Sequence, residues 1–158
     1  MSEGTPLFDA QLLGRTEKTL NAILGQLLSG SGVTEQHWVA LTLAVADGGQ
    51  TVRARYTGHV ASALRVSEAR AGAQISELAA ARLIELPASE AAPVTVTSSG
   101  RQLYDRVRTA TTAITQRMWG DLPVVDLEAA GRVLSTVLGR ADDYLASASG
   151  EALDATQS

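Results

Sequence analysis

The sequence contains no cysteine, and this absence excludes several classes of reactive site. Without thiols the chain can form no disulfide, no cysteine nucleophile and no thiolate metal site. Its two histidines, His37 and His59, lie far apart in sequence and show no recognisable metal-binding spacing. We therefore expect neither a bound metal ion nor a cofactor.

Aromatic side chains are also scarce, at 4% of the residues, so leucine, valine, isoleucine and alanine must do most of the packing. That mixture favours helices. No run approaches the roughly 18 uninterrupted apolar residues of a membrane span. The N-terminal stretch MSEGTPLFDA lacks the basic and then apolar order of a secretion signal. We expect a cytoplasmic protein with no membrane contact.

Positive charge is limited overall and concentrated in one segment. The net charge of −4 by itself argues against a nucleic-acid partner. However, residues 51–84 contain five arginines and two glutamates, which gives this segment a net charge of +3. The positive charge is therefore local, and the rest of the chain is acidic.

Apolar residues recur at helical spacing through the first half of the chain. They predict a long amphipathic helix over about residues 8–28. A second helix should begin after Thr34, which is placed to cap it, and should stop at the DGG of 47–49. A shorter third helix fits about 54–64.

A fourth helix should begin at the capping residue Ser67 and end near Ala81. Four apolar residues form its expected buried face: Ala71, Ile75, Leu78 and Leu83. Three polar residues are expected outside that face: Arg70, Gln74 and Glu77. From periodicity alone, the third and fourth helices are either a DNA-reading unit or a solvated corner of a helical core.

The next region cannot be helical. Pro87 and Pro93 forbid a helix, and the alternation of valine and threonine over 94–97 is typical of a half-buried strand. A small hairpin fits this stretch.

Two further helices complete the chain. The helical period returns from Ser98 and is broken by the GDLP of 120–123, and a last helix runs from Asp126 to about Ala146. Residues 148–158 are polar and are expected to be a flexible tail. The first and the last two helices leave apolar surface that a single chain covers poorly, so we expect a symmetric dimer.

Three segments together resemble the multiple-antibiotic-resistance regulator (MarR) family of winged-helix transcription factors. They are GVTEQHWVALTLAV, HVASALRVSEARAGAQISELAAARLIE and VTVTSSGRQLYDRV, similar in turn to the family's second helix, its helix-turn-helix and its strand-to-helix step. The matching residues are Thr34, Trp38, Leu41, Val60, Ala61, Leu64, Val66, Ser67, Ala71, Ile75, Leu78, Leu83, Ile84, Thr97, Gly100 and Leu103. The similarity runs from about residue 8 to 147.

This resemblance implies a mainly α fold with a small β-hairpin wing. In a single MarR-like domain over 1–158, a winged helix-turn-helix at about 34–97 would lie between dimerisation helices at about 8–30 and 98–147. The implied function is a dimeric transcriptional regulator that binds a pseudo-palindromic operator in double-stranded DNA. Activation and repression are equally compatible with the sequence.

The chain departs from the family pattern at two places. Arg82 stands where the family usually has a glycine with positive φ, which costs about 1 kcal/mol if that geometry is kept. The family's wing usually carries an Asp-x-Arg or Asp-Arg-Arg element that reaches the minor groove. Here ELPASEAAPVTV contains Glu85 and Glu90 but no arginine or lysine.

A recognition helix presents its N-terminal half to the bases, which makes Ser67, Arg70 and Gln74 the candidates for DNA contact. Arg70 could pair with O6 and N7 of guanine, and Gln74 could read adenine. The Ser67 hydroxyl could be shared between the helix amides and a phosphate. Four residues in or before the turn are placed for phosphate contacts: Arg53, Arg55, His59 and Arg65.

The resemblance also implies an effector cleft between the dimerisation helices and the winged helix. In the family this cleft often takes small aromatic or anionic molecules. Arg15 on the first helix and His37 on the second could face it here. From the residues themselves, His37 is more typical of a surface or cap position than of a base, and Trp38 of the core rather than a ligand platform.

The sequence also bears on two classes of function other than a DNA-binding regulator. The chain is not expected to be an enzyme, because its adjacent acids, such as Asp142 with Asp143, have no histidine, lysine or metal ligand placed to work with them. A winged-helix dimer that has lost DNA binding and acts as a protein-interaction or small-molecule-binding module is compatible with the acidic wing. That alternative stays open at the level of sequence.

Overall fold

The computed structural model describes the backbone of residues 7–155 and the side chains of residues 7–149. The elements of this part of the chain are, in order, α1 (Ala10–Leu28), α2 (Glu35–Ala46), β1 (Gln50–Val52), α3 (Arg53–Leu64), α4 (Glu68–Ala80), β2 (Ile84–Glu85), β3 (Pro93–Val96), α5 (Ser98–Trp119) and α6 (Val124–Ala155). The predicted class, mainly α with a small β hairpin, is confirmed.

The chain divides into two compact units between Ala113 and Ile114. The first unit contains α1 to α4, the sheet and the greater part of α5. The second contains the end of α5 and all of α6. Every candidate residue for binding DNA lies in the first unit.

The predicted hairpin forms, and a third strand joins it. The strand order is β1-β3-β2 and both pairs are antiparallel, with Thr51 opposite Val94 and Ile84 opposite Val96. Val94 is buried, as the alternating pattern predicts for a strand with one face on the core. Strand β1 was not expected, because three residues are too few to show a period and this strand exists only through its pairing with β3.

The hydrophobic core lies in the first unit, where α2, α3, α4, the sheet and the start of α5 meet. Its largest fully buried side chains are Tyr56, Leu41, Ile75, Leu78, Ile84, Val60, Val94 and Val107. The hydroxyl of Tyr56 donates a hydrogen bond of 2.7 Å to the carbonyl oxygen of Ala40 on α2. Burial, with a smaller contribution from the Asp47 carboxylate, raises the pKa of the Tyr56 phenol far above its ordinary value.

Thr97 and Gly100 join the hairpin to α5. The Thr97 hydroxyl accepts from the backbone N–H of Gly100 at 3.0 Å and donates to the carbonyl oxygen of Arg82 at 2.7 Å. A Cβ atom at position 100 would lie 2.1 Å from the carbonyl oxygen of Leu83, so only glycine fits this approach. The threonine and glycine of the VTVTSSG segment therefore fix the start of α5 against the end of α4.

Arg82 adopts the left-handed conformation, with φ of 60°. The chain therefore keeps the turn in which the family usually places glycine, and it carries the strain that a side chain with a Cβ brings to this region. The bond from Thr97 to the Arg82 carbonyl oxygen and the burial of Leu83 hold the turn in place.

The last helix departs from the sequence-based prediction at its C-terminal end. The prediction ended it near Ala146, but α6 continues to Ala155, and residues 156–158 of the expected tail lie outside the described residues. The polar character of SASGEALDA does not end the helix. This stretch contains no proline, and alanine, glutamate and leucine are strong helix formers that offset one internal glycine.

Helix α6 exposes many large apolar side chains. They are Val124, Val125, Leu127, Val133, Leu134, Val137, Leu138, Tyr144 and Leu145. Leu127, Leu134, Leu138 and Leu145 are spaced seven, four and seven residues apart, which is the spacing of a coiled-coil seam.

Candidate nucleic-acid interface

Helix α4 is capped as predicted. The Ser67 hydroxyl accepts a hydrogen bond from the backbone N–H of Arg70 at 3.2 Å, which satisfies one of the donors that every helix leaves unpaired at its N-terminus. A hydroxyl that accepts in this way still carries a hydrogen that it can donate. Ser67 therefore sits where it can serve both the helix and a phosphate oxygen.

Arg70 is exposed in the first turn of α4. Its exposed neighbours Ala69 and Ala73 carry only small side chains, and Gly72 is half-buried and carries none. A helix with small residues around a single long cation can approach the floor of a groove closely. The first turns of α4 therefore have the shape and the donor that direct reading of a base requires.

The opposite side of α4 anchors the helix. Ala71, Ile75 and Leu78 are each at most 1% exposed, as the sequence predicted. These three residues belong to the same buried cluster as Leu41 of α2 and Val60 of α3. The core therefore fixes the helix along a narrow apolar stripe.

Gln74 does not lie fully outside the buried face as predicted. It is half-buried, and its side-chain oxygen is buried without a hydrogen-bond partner. Gln74 follows Ala71 by three residues and precedes Leu78 by four, so both flank it on the same side of the helix. The helical period places Gln74 at the edge of the buried stripe. In the folded chain its side-chain amide turns towards the interior.

Three arginines surround the start of the helix-turn-helix. Arg53 is half-buried at the start of α3, and Arg55 is exposed on the same helix. Arg65, also exposed, ends α3 in the left-handed conformation, with φ of 55°, and its backbone N–H bonds to the carbonyl oxygens of Ala61 and Ser62. These positions supply positive charge before and within the turn.

Asp47 places a carboxylate beside this basic region. Its Oδ2 lies 3.6 Å from Nδ1 of His59, and it lines a small cavity of about 250 Å³ together with Arg55. The Asp47 carboxylate attracts the side chains of His59 and Arg55, and it therefore competes with any phosphate that would contact them. The sequence indicates no role for Asp47 beyond ending a helix.

His37 is buried and takes part in the cap of α2, which confirms the prediction of a surface or cap position. The backbone N–H of Thr34 donates to Nδ1 of His37 at 3.2 Å, and the backbone N–H of His37 donates to the Thr34 hydroxyl at 3.3 Å. The other ring nitrogen, Nε2, lies 2.6 Å from Oε2 of Glu77 on α4.

These contacts define the tautomer of His37. A backbone N–H can only donate, so Nδ1 accepts from Thr34 and the hydrogen of the neutral imidazole lies on Nε2, where it is donated to Glu77. Both ring nitrogens are engaged within the protein. His37 thus links two helices of the winged-helix unit, whereas the other predicted effector contact, Arg15, is exposed on α1.

An aromatic stack joins α2 to α5. The rings of Trp38 and Tyr104 are stacked with their centroids 5.5 Å apart. The Arg108 guanidinium lies 5.9 Å from the centroid of the Tyr104 ring and donates to the Tyr104 hydroxyl at 3.1 Å. Trp38 packs against the core as predicted, but its stacking partner Tyr104 was not identified from the sequence because it is 66 positions away.

The wing contains no basic side chain, as its sequence requires. Arg82 and Glu85 line a cavity of about 590 Å³ between the end of α4 and the hairpin, together with Pro87 and Pro93. Glu85 accepts a long hydrogen bond of 3.4 Å from the Thr95 hydroxyl. The hairpin itself therefore presents a carboxylate where a minor-groove reader would present a cation.

Neither of two other kinds of site appears in the described residues. In residues 7–155 no helix is long and apolar enough to cross a membrane. Among the described side chains, those of residues 7–149, no group of three or more histidine, aspartate and glutamate residues is arranged to hold a metal ion.

No protein-family model matches the sequence, and neither does any curated protein. Solved structures are similar in fold. The MepR–DNA complex of Staphylococcus aureus aligns with a TM-score of 0.66 and 19% identity, over 84% of this chain and 96% of that one. A MarR-family regulator from Rhodococcus aligns with a TM-score of 0.64 and 20% identity, over 80% of this chain and 90% of that one.

A third structure is somewhat closer in sequence. BpsR of Bordetella bronchiseptica, whose DNA binding is regulated by 6-hydroxynicotinic acid, aligns with a TM-score of 0.61 and 27% identity, over 80% of this chain and 96% of that one. The alignments cover nearly all of each of these proteins, so the likeness concerns whole chains and not one shared motif. The chain therefore has the winged-helix fold of the MarR family of transcriptional regulators.

Proposed function

We propose that the chain is a dimeric, effector-responsive transcriptional regulator that binds double-stranded DNA through α4. The observation that carries this proposal is the exposure of Arg70 in the first turn of α4, on a helix anchored by a buried apolar stripe. Arg70 would donate two hydrogen bonds to O6 and N7 of a guanine in the major groove. Ser67 would contact a phosphate beside the helix N-terminus, where the helix dipole favours an anion.

Phosphate contacts elsewhere would come from arginines outside the wing. Arg53, Arg55 and Arg65 lie before or within the turn of the helix-turn-helix, and such contacts set the register of a protein on DNA without reading sequence. Gln74 is a weaker candidate for reading adenine than the sequence suggested, because its amide oxygen is buried. We therefore place direct reading of bases chiefly on Arg70.

A homodimer would present two copies of α4 to successive turns of the duplex. The seam of α6 formed by Leu127, Leu134, Leu138 and Leu145 is exposed in one chain, with between 38% and 58% of each residue accessible. A second copy would cover this surface and bring the apolar area out of water. The operator would then be an inverted repeat with half-sites about one helical turn apart.

The effector would be a small aromatic or anionic molecule. BpsR responds to a flat aromatic acid, 6-hydroxynicotinic acid. In this chain the exposed guanidinium of Arg108, beside the Tyr104 ring, would supply a cation for such a ligand. His37 suits it less well, because its two ring nitrogens already have partners within the protein.

Selection of bound duplexes from random DNA tests the proposal most directly. The wild-type protein should enrich an inverted repeat with a constant separation between half-sites, and light scattering should give the mass of two chains. The alternative function, an interaction module that has lost DNA binding, finds support in a wing with Glu85 and no basic residue. That alternative is favoured if no sequence is enriched at low salt while the protein is a folded dimer.

A further inference from the structure

We infer that His37 and Glu77 form a positioning pair that sets the rotation of α4 about its own axis and so contributes to DNA specificity; this inference rests on the proposed DNA-binding function. His37 lies on α2 and Glu77 in the last turn of α4. Their side chains meet at 2.6 Å, with 11% of the imidazole side chain and 59% of the carboxylate side chain exposed. The pair is a polar link between α2 and the proposed recognition helix.

Glu77 and Arg70 project from the same side of α4. They are seven residues apart, and at 3.6 residues per turn their side chains leave the helix in directions about 20° apart. A contact that holds Glu77 against α2 therefore also fixes the direction in which Arg70 leaves the helix. Arg70 reads DNA only if that direction matches the groove.

Apolar packing anchors α4 along one narrow stripe, and the polar pair adds a directional contact to it. The contact stripe consists of Ala71, Ile75 and Leu78, and the attraction between apolar surfaces has no preferred direction. A hydrogen bond does have one, and in a partly buried place it selects one arrangement over close alternatives. The imidazole is itself held in place, because Nδ1 accepts from Thr34 while Nε2 donates to Glu77.

The pair also accounts for an acid in an unfavourable position. A carboxylate in the last turn of a helix opposes the helix dipole. On a helix offered to DNA it also repels the phosphates. The hydrogen bond from His37 pairs the Glu77 carboxylate with a donor on α2. Glu77 therefore has a structural role on the surface of α4.

Two substitutions at position 77 separate this positioning role from simple charge. Glu77→Ala and Glu77→Gln remove the same negative charge, but glutamine keeps an amide oxygen that can accept from Nε2 of His37. Glu68→Gln, at an exposed acid in the first turn of α4, is the control for charge alone. The probes are a duplex selected by the wild-type protein from random DNA and a scrambled duplex of the same composition.

The measured quantity is the ratio of affinities for the selected and the scrambled duplex. We expect Glu77→Ala to lower this ratio by roughly tenfold, on the scale of one hydrogen bond to a charged group. Glu77→Gln and Glu68→Gln should keep the wild-type ratio, although all three variants should bind scrambled DNA more tightly. His37→Ala combined with Glu77→Ala should lose no more than Glu77→Ala alone.

Each contrary outcome has a distinct meaning. Equal ratios for Glu77→Ala and the wild type would overturn the positioning role and leave the DNA-binding proposal intact. Equal losses in Glu77→Ala and Glu77→Gln would also overturn it, because charge and not direction would then matter. If the wild-type protein selects no duplex, the DNA-binding proposal and the positioning role both fail.

Discussion

Replacing Arg70 with alanine tests the recognition helix at its central residue. The backbone N–H of residue 70 still bonds to Ser67, so the helix cap survives the substitution and the fold should be unchanged. A bidentate pair with guanine is worth about 1–3 kcal/mol of discrimination in each half-site, or about 2–6 kcal/mol in a dimer. The preference for the selected over the scrambled duplex should therefore fall by roughly 30-fold to 20,000-fold.

Fluorescence anisotropy with both duplexes, at two salt concentrations, measures this loss. Arg106→Ala is the matched control, because Arg106 is an exposed arginine on α5 and its loss changes the charge equally. The control should weaken binding to both duplexes by the same small factor, whereas Arg70→Ala should act chiefly on the selected duplex. An Arg70→Ala protein with the preference of the Arg106→Ala protein would refute the assignment of base reading to α4.

Three further predictions concern stability and assembly. Arg82→Gly should raise the free energy of unfolding in urea titrations by about 1 kcal/mol, because glycine relieves the left-handed strain at φ of 60°. Arg82→Ala keeps the Cβ atom and should show no such gain. Tyr56→Phe should lower the free energy of unfolding by about 1 kcal/mol through loss of the bond to Ala40. Because burial raises the pKa of the Tyr56 phenol, the free energy of unfolding of the wild type should fall as the pH rises above about 10. The same fall with pH in the phenylalanine variant would contradict this account. Leu134→Arg combined with Leu138→Arg should give a folded monomer by light scattering, while Ser135→Arg stays a dimer; a dimeric double variant would count against the α6 seam.

Features that depend on neighbours a few positions away could be predicted from the sequence. Thr34 and Ser67 were recognised as caps because a capping side chain bonds to a backbone group three residues later, and both bonds are present. The buried stripe of α4 follows from helical period and was predicted correctly. The hairpin was predicted because prolines exclude a helix and valines alternate with threonines.

Periodicity predicted the ends of helices and strands less well than their interiors. Strand β1 has three residues and forms by pairing with β3, which lies more than 40 positions later. No local sequence pattern therefore predicts it. The last helix runs nine residues past its predicted end, because helix propensity in that stretch outweighs its polar composition. Gln74 lies where the helical period passes from exposed to buried, and only the packing of α4 decided which way its amide turned.

The roles of the two histidines depended on tertiary structure most of all. The sequence assigned His37 to a cap or a surface, but its Nε2 meets Glu77 on α4, 40 positions away. Likewise His59 was expected to contact phosphate, and folding brought it to Asp47. A helical period fixes only the side on which a residue lies, because it is set by bonds within one helix. The partner on that side is set by how the helices pack together, and no spacing within one helix encodes it.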